Sequence, residues 1–297
     1  METPLWMKTF VTVVDLQSFS RAAEILGMTQ SSVSRQISAL ERHLGVAVLK
    51  RTTRSLALTA EGTLFYEAAQ KALAAIEEAE TSIGRSETLS GVVRITAPLT
   101  LAQARLIGFI AEFQRSHPKI QVELKVSDHA LNLVADHLDL AVRVGQIGDS
   151  SNLVRRVGVT HRVMVAAPAY LAAAGTPRRP VDLRDHNCIT YALLSTGTNW
   201  HLQGHPPVAV QGNFRADSPD ALRAAALSGL GIAVNARWLF EEDLASGRLV
   251  ELLPDHPPVD MPIHLVMPPT RHVAARVRAL SAHLVGAFQR DPLLRSD

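Results

Sequence analysis

Short hydroxyl side chains and arginines recur on one face of a helical pattern near the N-terminus. This face consists of Ser31, Ser34, Arg35, Ser38 and Arg42. The other face is apolar and consists of Val33, Ile37, Leu40 and Leu44, at spacings that place them together on a helix. Small hydroxyls and guanidinium groups can reach phosphates and base edges in the DNA major groove without steric excess. The spacing therefore predicts a helix that contacts DNA.

A shorter helical pattern precedes this helix, and the two meet at Gly27. Its apolar stripe consists of Ala22, Ala23 and Leu26. Ser18 or Ser20 can cap its start, and Gly27 suits the left-handed residue that ends a helix. Thr29 can cap the next helix. The two patterns together predict a helix-turn-helix.

A cationic segment follows the second helix. Apolar runs at 46–49 and 56–58 flank Lys50, Arg51, Thr52, Thr53 and Arg54, which predicts a small β-ribbon, or wing, with a cationic tip. Between residues 30 and 60 five Lys and Arg residues face one acid, Glu41, so the local excess is 5 − 1 = +4. Such a patch attracts a polyanion and makes binding sensitive to salt. The alternative is a small helical domain with a solvated basic loop.

These motifs resemble the N-terminal domain of the LysR-type transcriptional regulators. The matching residues are Ala22-Ala23, Leu26, Thr29-Gln30, Val33-Ser34, Ile37, Leu40-Glu41, Leu44-Gly45, Arg51, Arg54, Leu58-Thr59 and Gly62. Two positions depart from the family pattern: Gln17 replaces a frequent Gly, and Leu49 replaces a frequent Phe. We expect contacts to DNA from Ser18, Thr29, Gln30, Ser31, Ser34, Arg35, Ser38, Lys50, Arg51, Thr52, Thr53 and Arg54.

The composition is that of an ordinary globular chain, with 297 residues, 47% hydrophobic residues and a net charge of +2. A single cysteine, Cys188, excludes an intramolecular disulfide and fits a reducing cytosol. The first apolar run is broken by Asp15, which predicts no signal peptide, and no run approaches the roughly 18 apolar residues of a membrane span. We therefore expect a cytoplasmic protein.

A helix without proline is predicted from residue 60 to 86. Its a/d positions are Phe65, Ala69, Ala72, Ile76, Ala79 and Ile83, which predicts a seam between two chains. The alternative is one amphipathic helix packed on its own domain. The resemblance implies that this linker helix forms a homodimer and that the effector domains pair further into a homotetramer.

The remaining chain shows β/α alternation, which predicts parallel sheets flanked by helices. Predicted strands are 92–96, 120–126, 140–144, 163–167, 188–191, 208–212, 231–234 and 263–267. Predicted helices are 101–115, 131–137, 219–227, 237–244 and 273–288. The resemblance implies a two-lobed α/β effector domain built like a type 2 periplasmic binding protein. The expected fold class is therefore α plus α/β, with a helical DNA-binding part followed by an α/β domain.

The expected domains are a winged helix-turn-helix at 1–59, a linker helix and hinge at 60–88, and an effector domain at 89–297. Lobe I is expected at about 92–161 and 267–297, and lobe II at about 162–266. Open α/β sheets bind ligands at strand ends beside helix N-termini. This rule and the family position give the candidate effector residues Thr100, Leu101, Ser127, Asp128, Arg143, Val144, Gly145, Tyr191, Phe214, Asp217 and Ser218.

Thr100 and Ser218 lie at predicted helix starts, one in each lobe, and Arg143 adds a cation. Because helix starts offer free N–H groups and positive dipole ends, these groups favour a small organic acid or a zwitterion as effector. Each of these residues can instead be an ordinary cap or turn residue.

The rival hypothesis is an α/β enzyme with an accessory helical domain. The sequence contains no G-x-S-x-G elbow and no P-loop, and His201 and His205 lie beside Gly204 and Pro206, which predict a loop. We therefore expect no catalytic residues, no metal site and no cofactor. A nucleoid protein is a third possibility, although it has no need of a large two-lobed domain. The leading hypothesis is a transcriptional regulator that binds promoter DNA and a small-molecule effector.

Overall fold

The computed structural model describes residues 3–51, 56–82, 89–148, 151–194, 196–269 and 273–295. The chain forms two compact units, residues 1–92 with 270–278 and residues 93–269 with 279–297. A search of the described helices finds none that is long and apolar enough to cross a membrane.

The N-terminal unit contains four helices and a two-stranded ribbon within the described residues. They are α1 (Thr3–Leu16), α2 (Phe19–Leu26), α3 (Gln30–Leu44), β1 (Leu49–Arg51), β2 (Leu56–Leu58) and α4 (Ala60–Ser82). Phe10, Val13, Val33, Ile37 and Leu40 are fully buried and form the centre of its core. The apolar face predicted for α3 therefore packs inward.

The effector part begins with β3 (Gly91–Ala97), α5 (Leu99–Leu101), a π-helical turn (Ala102–Leu106), α6 (Ile107–Ser116), β4 (Ile120–Val126), β5 (Leu140–Val144) and β6 (Leu153–Thr160). It continues with β7 (Arg162–Ala166), α7 (Pro168–Ala174), a 3₁₀ turn (Pro180–Asp185), β8 (Cys188–Tyr191), β9 (Asn199–Trp200), β10 (Val208–Ala209) and β11 (Arg215–Ala216). The last elements are α8 (Pro219–Leu227), β12 (Ile232–Ala236), α9 (Arg237–Ala245), β13 (Val250–Leu252), β14 (Met261–Met267) and α10 (Ala275–Arg290).

Two five-stranded sheets define two lobes. Lobe I has the strand order β4-β3-β5-β14-β6, and lobe II has the order β11-β8-β12-β7-β13. Both sheets are mixed, so the prediction of parallel sheets is correct only in part. The pairs β3–β5, β8–β11 and β8–β12 are parallel. In contrast, β14 runs antiparallel to β5 and β6, and β7 runs antiparallel to β12 and β13. The antiparallel strands are those that flank the two chain crossings between the lobes.

The lobe boundary expected at residues 266–267 is also wrong. All of β14 pairs within the lobe I sheet, where His264 lies opposite Arg143 on one side and Arg156 on the other. The chain therefore returns to lobe I before Met261. The outgoing crossing lies at His161, between β6 and β7.

The helix expected at 131–137 is replaced by turns. The Asn132 side-chain oxygen accepts hydrogen bonds from the backbone N–H groups of Val134 (3.0 Å) and Ala135 (3.1 Å). His137 adopts a left-handed φ of 53°. Asparagine side chains that bond to the nearby backbone compete with helix formation, which accounts for the difference.

Candidate functional sites

Local side-chain caps position the helix-turn-helix. The Ser18 hydroxyl accepts a hydrogen bond from the Arg21 N–H (3.3 Å), and the Thr29 hydroxyl accepts one from the Ser32 N–H (3.2 Å). Gly27 ends α2 with a φ of 63°, a left-handed conformation that costs glycine little. The caps and the turn fix the angle at which α3 leaves α2.

The polar face of α3 is open to solvent. Ser31, Arg35, Ser38 and Arg42 are exposed, and Ser34 lies half-buried at the edge of the face. Arg35 donates from Nη2 to the Ser32 hydroxyl (3.2 Å) and from Nε to the Ser31 carbonyl oxygen (3.4 Å). Gln30 is exposed, and its Oε1 accepts a hydrogen bond from the Ser20 hydroxyl (3.3 Å). This face offers hydroxyls and guanidinium groups to a polyanion.

Sequence reasoning omitted Ser32 from this site. Its hydroxyl lies 2.9 Å from the Thr29 hydroxyl and also contacts Arg35. The signal was present, because Ser32 belongs to the same serine-rich first turn, but its helical position is off the centre of the polar face.

Glu41, the acid in the basic segment, is turned toward the ribbon. Its Oε1 accepts hydrogen bonds from the N–H groups of Val48 (3.0 Å) and Leu49 (3.3 Å). The carboxylate therefore ties α3 to β1. Lys50 is exposed on β1, and Arg51 ends that strand. The expected contacts at Thr52, Thr53 and Arg54 lie outside the described residues.

Two positions of the predicted dimer seam on α4 are used inside the N-terminal unit. Ala69 is fully buried, and the Phe65 ring packs against Phe10 with a centroid distance of 5.5 Å. The seam prediction is therefore wrong at these residues, because α4 supplies one face to its own core. Ala72 is half-buried, Ile76 is 37% exposed, Ala79 lies further along α4, and Ile83 lies outside the described residues.

A different stripe of α4 is accessible. Leu64 is 71% exposed, Ala68 is exposed and Ala75 is half-buried. With Ala72 these residues follow spacings of three and four, so they share one side of the helix.

The expected helix-start site in lobe I is occupied by a side chain of the protein. The Leu99 backbone N–H donates to the Asp128 carboxylate. Burial, with Asp220 and Asp217 nearby, raises the pKa of Asp128 above its ordinary value. Thr100 lies on α5 and is half-buried, whereas Leu101 is fully buried and cannot contact a ligand. The prediction is wrong for Leu101, because that side chain faces the core.

Lobe II brings its own predicted residues to the same region. His129 Nε2 of lobe I lies 4.0 Å from Asp217 Oδ2 of lobe II. The Ser218 hydroxyl caps α8 by accepting from the Ala221 N–H (3.5 Å). Burial raises the pKa of Tyr191, and the charges of Asp128 and Asp217 add to that effect. This end of the cleft is acidic, which opposes the binding of a simple anion there.

The remaining predicted cleft residues have structural contacts. Arg143 donates to the Leu131 carbonyl oxygen, and no described carboxylate forms an ion pair with it. Ser127 donates its hydroxyl to the His129 carbonyl oxygen (3.1 Å). Phe214 packs against the lobe II core, and Val144 pairs with Ile263. Arg143 is thus bonded to the backbone and has no carboxylate partner among the described residues, and its expected role as a cation of the cleft stays a prediction.

A cavity of about 200 Å³ lies beside the two crossings between the lobes, and we call it the hinge cavity. Its lining includes Gly145, Gln146, Arg162, Leu194, Thr196, Asn199, Trp200, His201, Val234 and residues 258–262. Gly145 is the one predicted effector residue in this lining. Sequence reasoning missed the others because they come from separate loops and carry no common motif.

A wider groove of about 530 Å³ lies near Thr100, Arg105, Arg223 and Trp238. Among the described residues, no group of three or more His, Cys, Asp or Glu side chains could hold a metal ion. Burial raises the pKa of Cys188 to about 12, so this thiol is inert at neutral pH.

Two family models cover most of the chain. The model described as "LysR substrate binding domain" matches residues 86–289, and "Bacterial regulatory helix-turn-helix protein, lysR family" matches residues 5–63. The chain is 34% identical over 292 residues to an HTH-type transcriptional repressor of Pseudomonas aeruginosa. This alignment covers 96% of this chain and 92% of the relative. It is 36% identical over 251 residues to the HTH-type transcriptional regulator CrgA of Neisseria meningitidis, which covers 83% and 84% of the two chains.

Solved structures agree with these relatives. The structure of CrgA from Neisseria meningitidis has a TM-score of 0.56 and 32% identity, and covers 95% of this chain and 96% of that chain. The full-length Vibrio cholerae virulence activator AphB has a TM-score of 0.58 and 28% identity, and covers 95% and 98%. These proteins are transcriptional regulators, and nothing among them supports the enzyme alternative. With its helix-turn-helix and its two-lobed effector domain, this chain belongs to the LysR family of transcriptional regulators, which bind promoter DNA and small-molecule effectors and form oligomers.

Proposed function

We propose that α3 enters the major groove of promoter DNA and that Ser31, Ser34, Arg35 and Ser38 contact it there. The observation that carries this proposal is the open Ser/Arg face of α3 above a fully buried apolar face at Val33 and Ile37. Arginine reads guanine by two parallel hydrogen bonds, and serine can bond to phosphates or base edges. We assign contacts with the flanking DNA backbone to Ser18, Thr29 and Gln30, at the starts of α2 and α3.

The wing supplies contacts that do not depend on sequence. Lys50 is exposed, and Arg51 and Arg54 follow it in the same basic segment of the sequence. Glu41 carries the opposing charge in this segment, and its carboxylate accepts hydrogen bonds from the backbone N–H groups of Val48 and Leu49. We therefore assign phosphate neutralisation to the wing and base recognition to α3.

Dimerisation through α4 follows from the need to read two half-sites. We now assign the seam to Leu64, Ala68, Ala72 and Ala75, with Ala79 next along the stripe, since Phe65 and Ala69 are taken by the core. Small residues allow two helices to approach closely. We further propose a homotetramer in the cytoplasm, in which effector domains pair two such dimers.

The effector is proposed to bind between the two lobes and to shift their arrangement. Because a ligand can change DNA binding only if its affinity differs between two states, a site bridging both lobes is the effective position. We retain a small organic acid or a zwitterion as its class. The acidic groups Asp128 and Asp217 favour a zwitterion at the α5 end of the cleft.

The direct test is a gel-shift assay of the full-length protein on the intergenic DNA upstream of its gene. We expect a discrete complex that weakens as salt rises from about 50 to 200 mM, because counterions are released on binding. The same DNA with its base order shuffled serves as the control. Equal affinity for both DNAs at both salt concentrations would contradict sequence-specific regulation.

A further inference from the structure

The hinge cavity has the size of a ring-shaped small molecule. Its volume is about 200 Å³, and an apolar cavity of roughly 150 Å³ suffices to hold benzene. Leu194, Trp200, Val234 and Met261 supply apolar walls, while Gln146, Thr196 and Asn199 add polar groups. The cavity therefore suits a compact ligand with an apolar body and a polar head.

One full charge in the lining, that of Arg162, is poorly compensated. The guanidinium Nη1 donates to the Val259 carbonyl oxygen at 3.4 Å, the outer limit of a hydrogen bond. Within the described part of the chain, no carboxylate lies within ion-pair distance of it. Asp260 is nearby, but its Oδ2 already lies 2.9 Å from Nδ1 of His161.

Three other arginines of lobe II differ from Arg162 in this respect. Arg179, Arg223 and Arg237 each lie within 2.5–2.9 Å of a carboxylate oxygen. Burial lowers the pKa of Arg162 to about 10, so the group stays charged at neutral pH although its surroundings disfavour the charge. A half-buried guanidinium without a carboxylate partner can bind an anion, because its N–H donors match the two oxygens of a carboxylate.

The hinge cavity also touches both lobes and both crossings. Gly145 and Gln146 follow β5 of lobe I, Leu194 and Trp200 belong to lobe II, and Arg162 and Val259 flank the crossings. Gly145 has a φ of 102°, a left-handed conformation that favours glycine, and it lies against the flexible end of the Met261 side chain. A ligand in this place contacts the segments about which the lobes turn.

We propose that a small monocarboxylate binds in the hinge cavity with its carboxylate on Arg162 and its apolar body against Leu194 and Trp200. This inference rests on the proposed function, because it names the head-group site of the effector. It moves that site from Thr100 and Ser218 to the hinge. The carboxylate of Asp260 in the same lining disfavours a second negative charge on the ligand.

The test uses the full-length protein and two probes of equal shape, benzoate and benzamide. Calorimetry is expected to show saturable binding of benzoate and at least tenfold weaker binding of neutral benzamide. Arg162→Gln is expected to lower benzoate affinity at least tenfold, and Arg162→Lys to recover part of that loss. Arg184→Gln removes an exposed charge of the same domain and is the matched control, for which unchanged affinity is expected.

A second variant keeps the charge and removes the space. Leu194→Trp fills the cavity while retaining Arg162, so benzoate affinity is expected to fall by at least tenfold. Circular dichroism checks that each variant is folded. Trp200 fluorescence gives an independent signal, since benzoate lies against that ring, and Trp200→Phe removes the signal.

The proposal is overturned if wild-type protein binds no benzoate, if benzamide binds as tightly as benzoate, or if Arg162→Gln retains full affinity. DNA binding of the wild-type protein is measured in parallel without probe, and the Arg184→Gln control is expected to match it. If wild type shows no specific DNA binding while benzoate still depends on Arg162, the regulatory function fails and the carboxylate site stands. If DNA binding is specific and benzoate does not depend on Arg162, the carboxylate site fails alone.

Discussion

The arginines of α3 and the arginine of the hinge cavity lie in opposite environments. Arg35 and Arg42 are exposed and hydrogen-bonded to their own helix at 3.2–3.4 Å, whereas burial depresses the pKa of Arg162. An exposed cation exchanges water for a phosphate at little cost and adapts to a long polyanion. A half-buried cation has already lost part of its water, so we expect it to favour a small anion that fits the cavity. We therefore expect the same type of side chain to bind an extended partner in one region and a compact partner in the other.

We expect the largest effect from a substitution at Gly62, at the start of α4, which should destabilise the N-terminal unit and leave lobe II unchanged. A Cβ there would lie 2.0 Å from the Val48 carbonyl oxygen, which is backbone and cannot rotate away. Gly62→Ala should destabilise the N-terminal unit by about 3 kcal/mol and abolish DNA binding. Hydrogen exchange followed by mass spectrometry should show faster exchange than in wild type in residues 3–51. The exchange rates in lobe II should not change.

The control for this change is Gly27→Ala. No atom lies within 4 Å of a Cβ at Gly27, so only the left-handed φ of 63° is penalised. The cost should be about 1 kcal/mol. Equal losses from both substitutions would show that close packing at Gly62 is not the decisive feature.

The next effect is expected in lobe II, at Asp243. This carboxylate is fully buried and pairs with Arg223 (2.5 and 3.0 Å) and Arg248 (2.7 Å). Asp243→Ala should cost roughly 2–3 kcal/mol, less than a fully buried pair, because both arginines can regain water. Urea unfolding should show the loss, while DNA binding should stay near wild type. A matched loss of DNA binding would contradict the independence of the two regions.

Most of the structure of the N-terminal unit could be predicted from the sequence. Caps at Ser18 and Thr29, the turn at Gly27 and the α3 faces depend on neighbours within four residues, so periodicity and residue type determine them. The hinge cavity joins Gly145, Arg162, Trp200 and Asp260. These residues are separated by tens of positions and meet only through the paired strands, so local patterns cannot indicate them.

Similar reasons account for the errors in the effector part. The alternation of strands and helices was visible, but strand direction in the sheets depends on the two crossings. A helical pattern at 131–137 forms turns instead, because the Asn132 side chain bonds to the backbone N–H groups that follow it. On α4 a heptad count could not distinguish the stripe that packs inward, with Ala69, from the stripe that stays open, with Ala68.

The open stripe of α4 gives a smaller but decisive test of assembly. Ala68→Glu with Ala75→Glu places two like charges on the proposed seam of each chain and should dissociate the dimer. Light scattering should then report a lower mass than that of wild type. Lys71→Glu is a control for an added carboxylate on α4, although it lies close to the seam, and a smaller effect is expected. An unchanged mass for the double variant would show that this stripe is not an interface.

The smallest effect is expected at Asp128, at the acidic end of the cleft. The pKa of Asp128 is raised in the folded protein, so folding disfavours its charged form. The contribution of this group to stability therefore falls as the pH rises above the ordinary pKa of an aspartate. Asp128→Asn should therefore stabilise the protein at pH 7 by less than about 1 kcal/mol, and the gain should vanish on acidification through that range. Thermal unfolding of both proteins at several pH values measures this gain in stability. A gain that grows toward low pH would contradict a raised pKa of Asp128.

The most direct test of the central claim is the affinity of the Arg35→Ala variant for promoter DNA and for shuffled DNA. Fluorescence anisotropy with labelled duplexes at one fixed salt concentration measures both, with Arg184→Ala in the effector domain as the control. We expect Arg35→Ala to lose about 1–3 kcal/mol of binding free energy on promoter DNA and little on shuffled DNA, and we expect no change for the control. Unchanged promoter affinity in Arg35→Ala would show that the exposed face of α3 does not read the sequence.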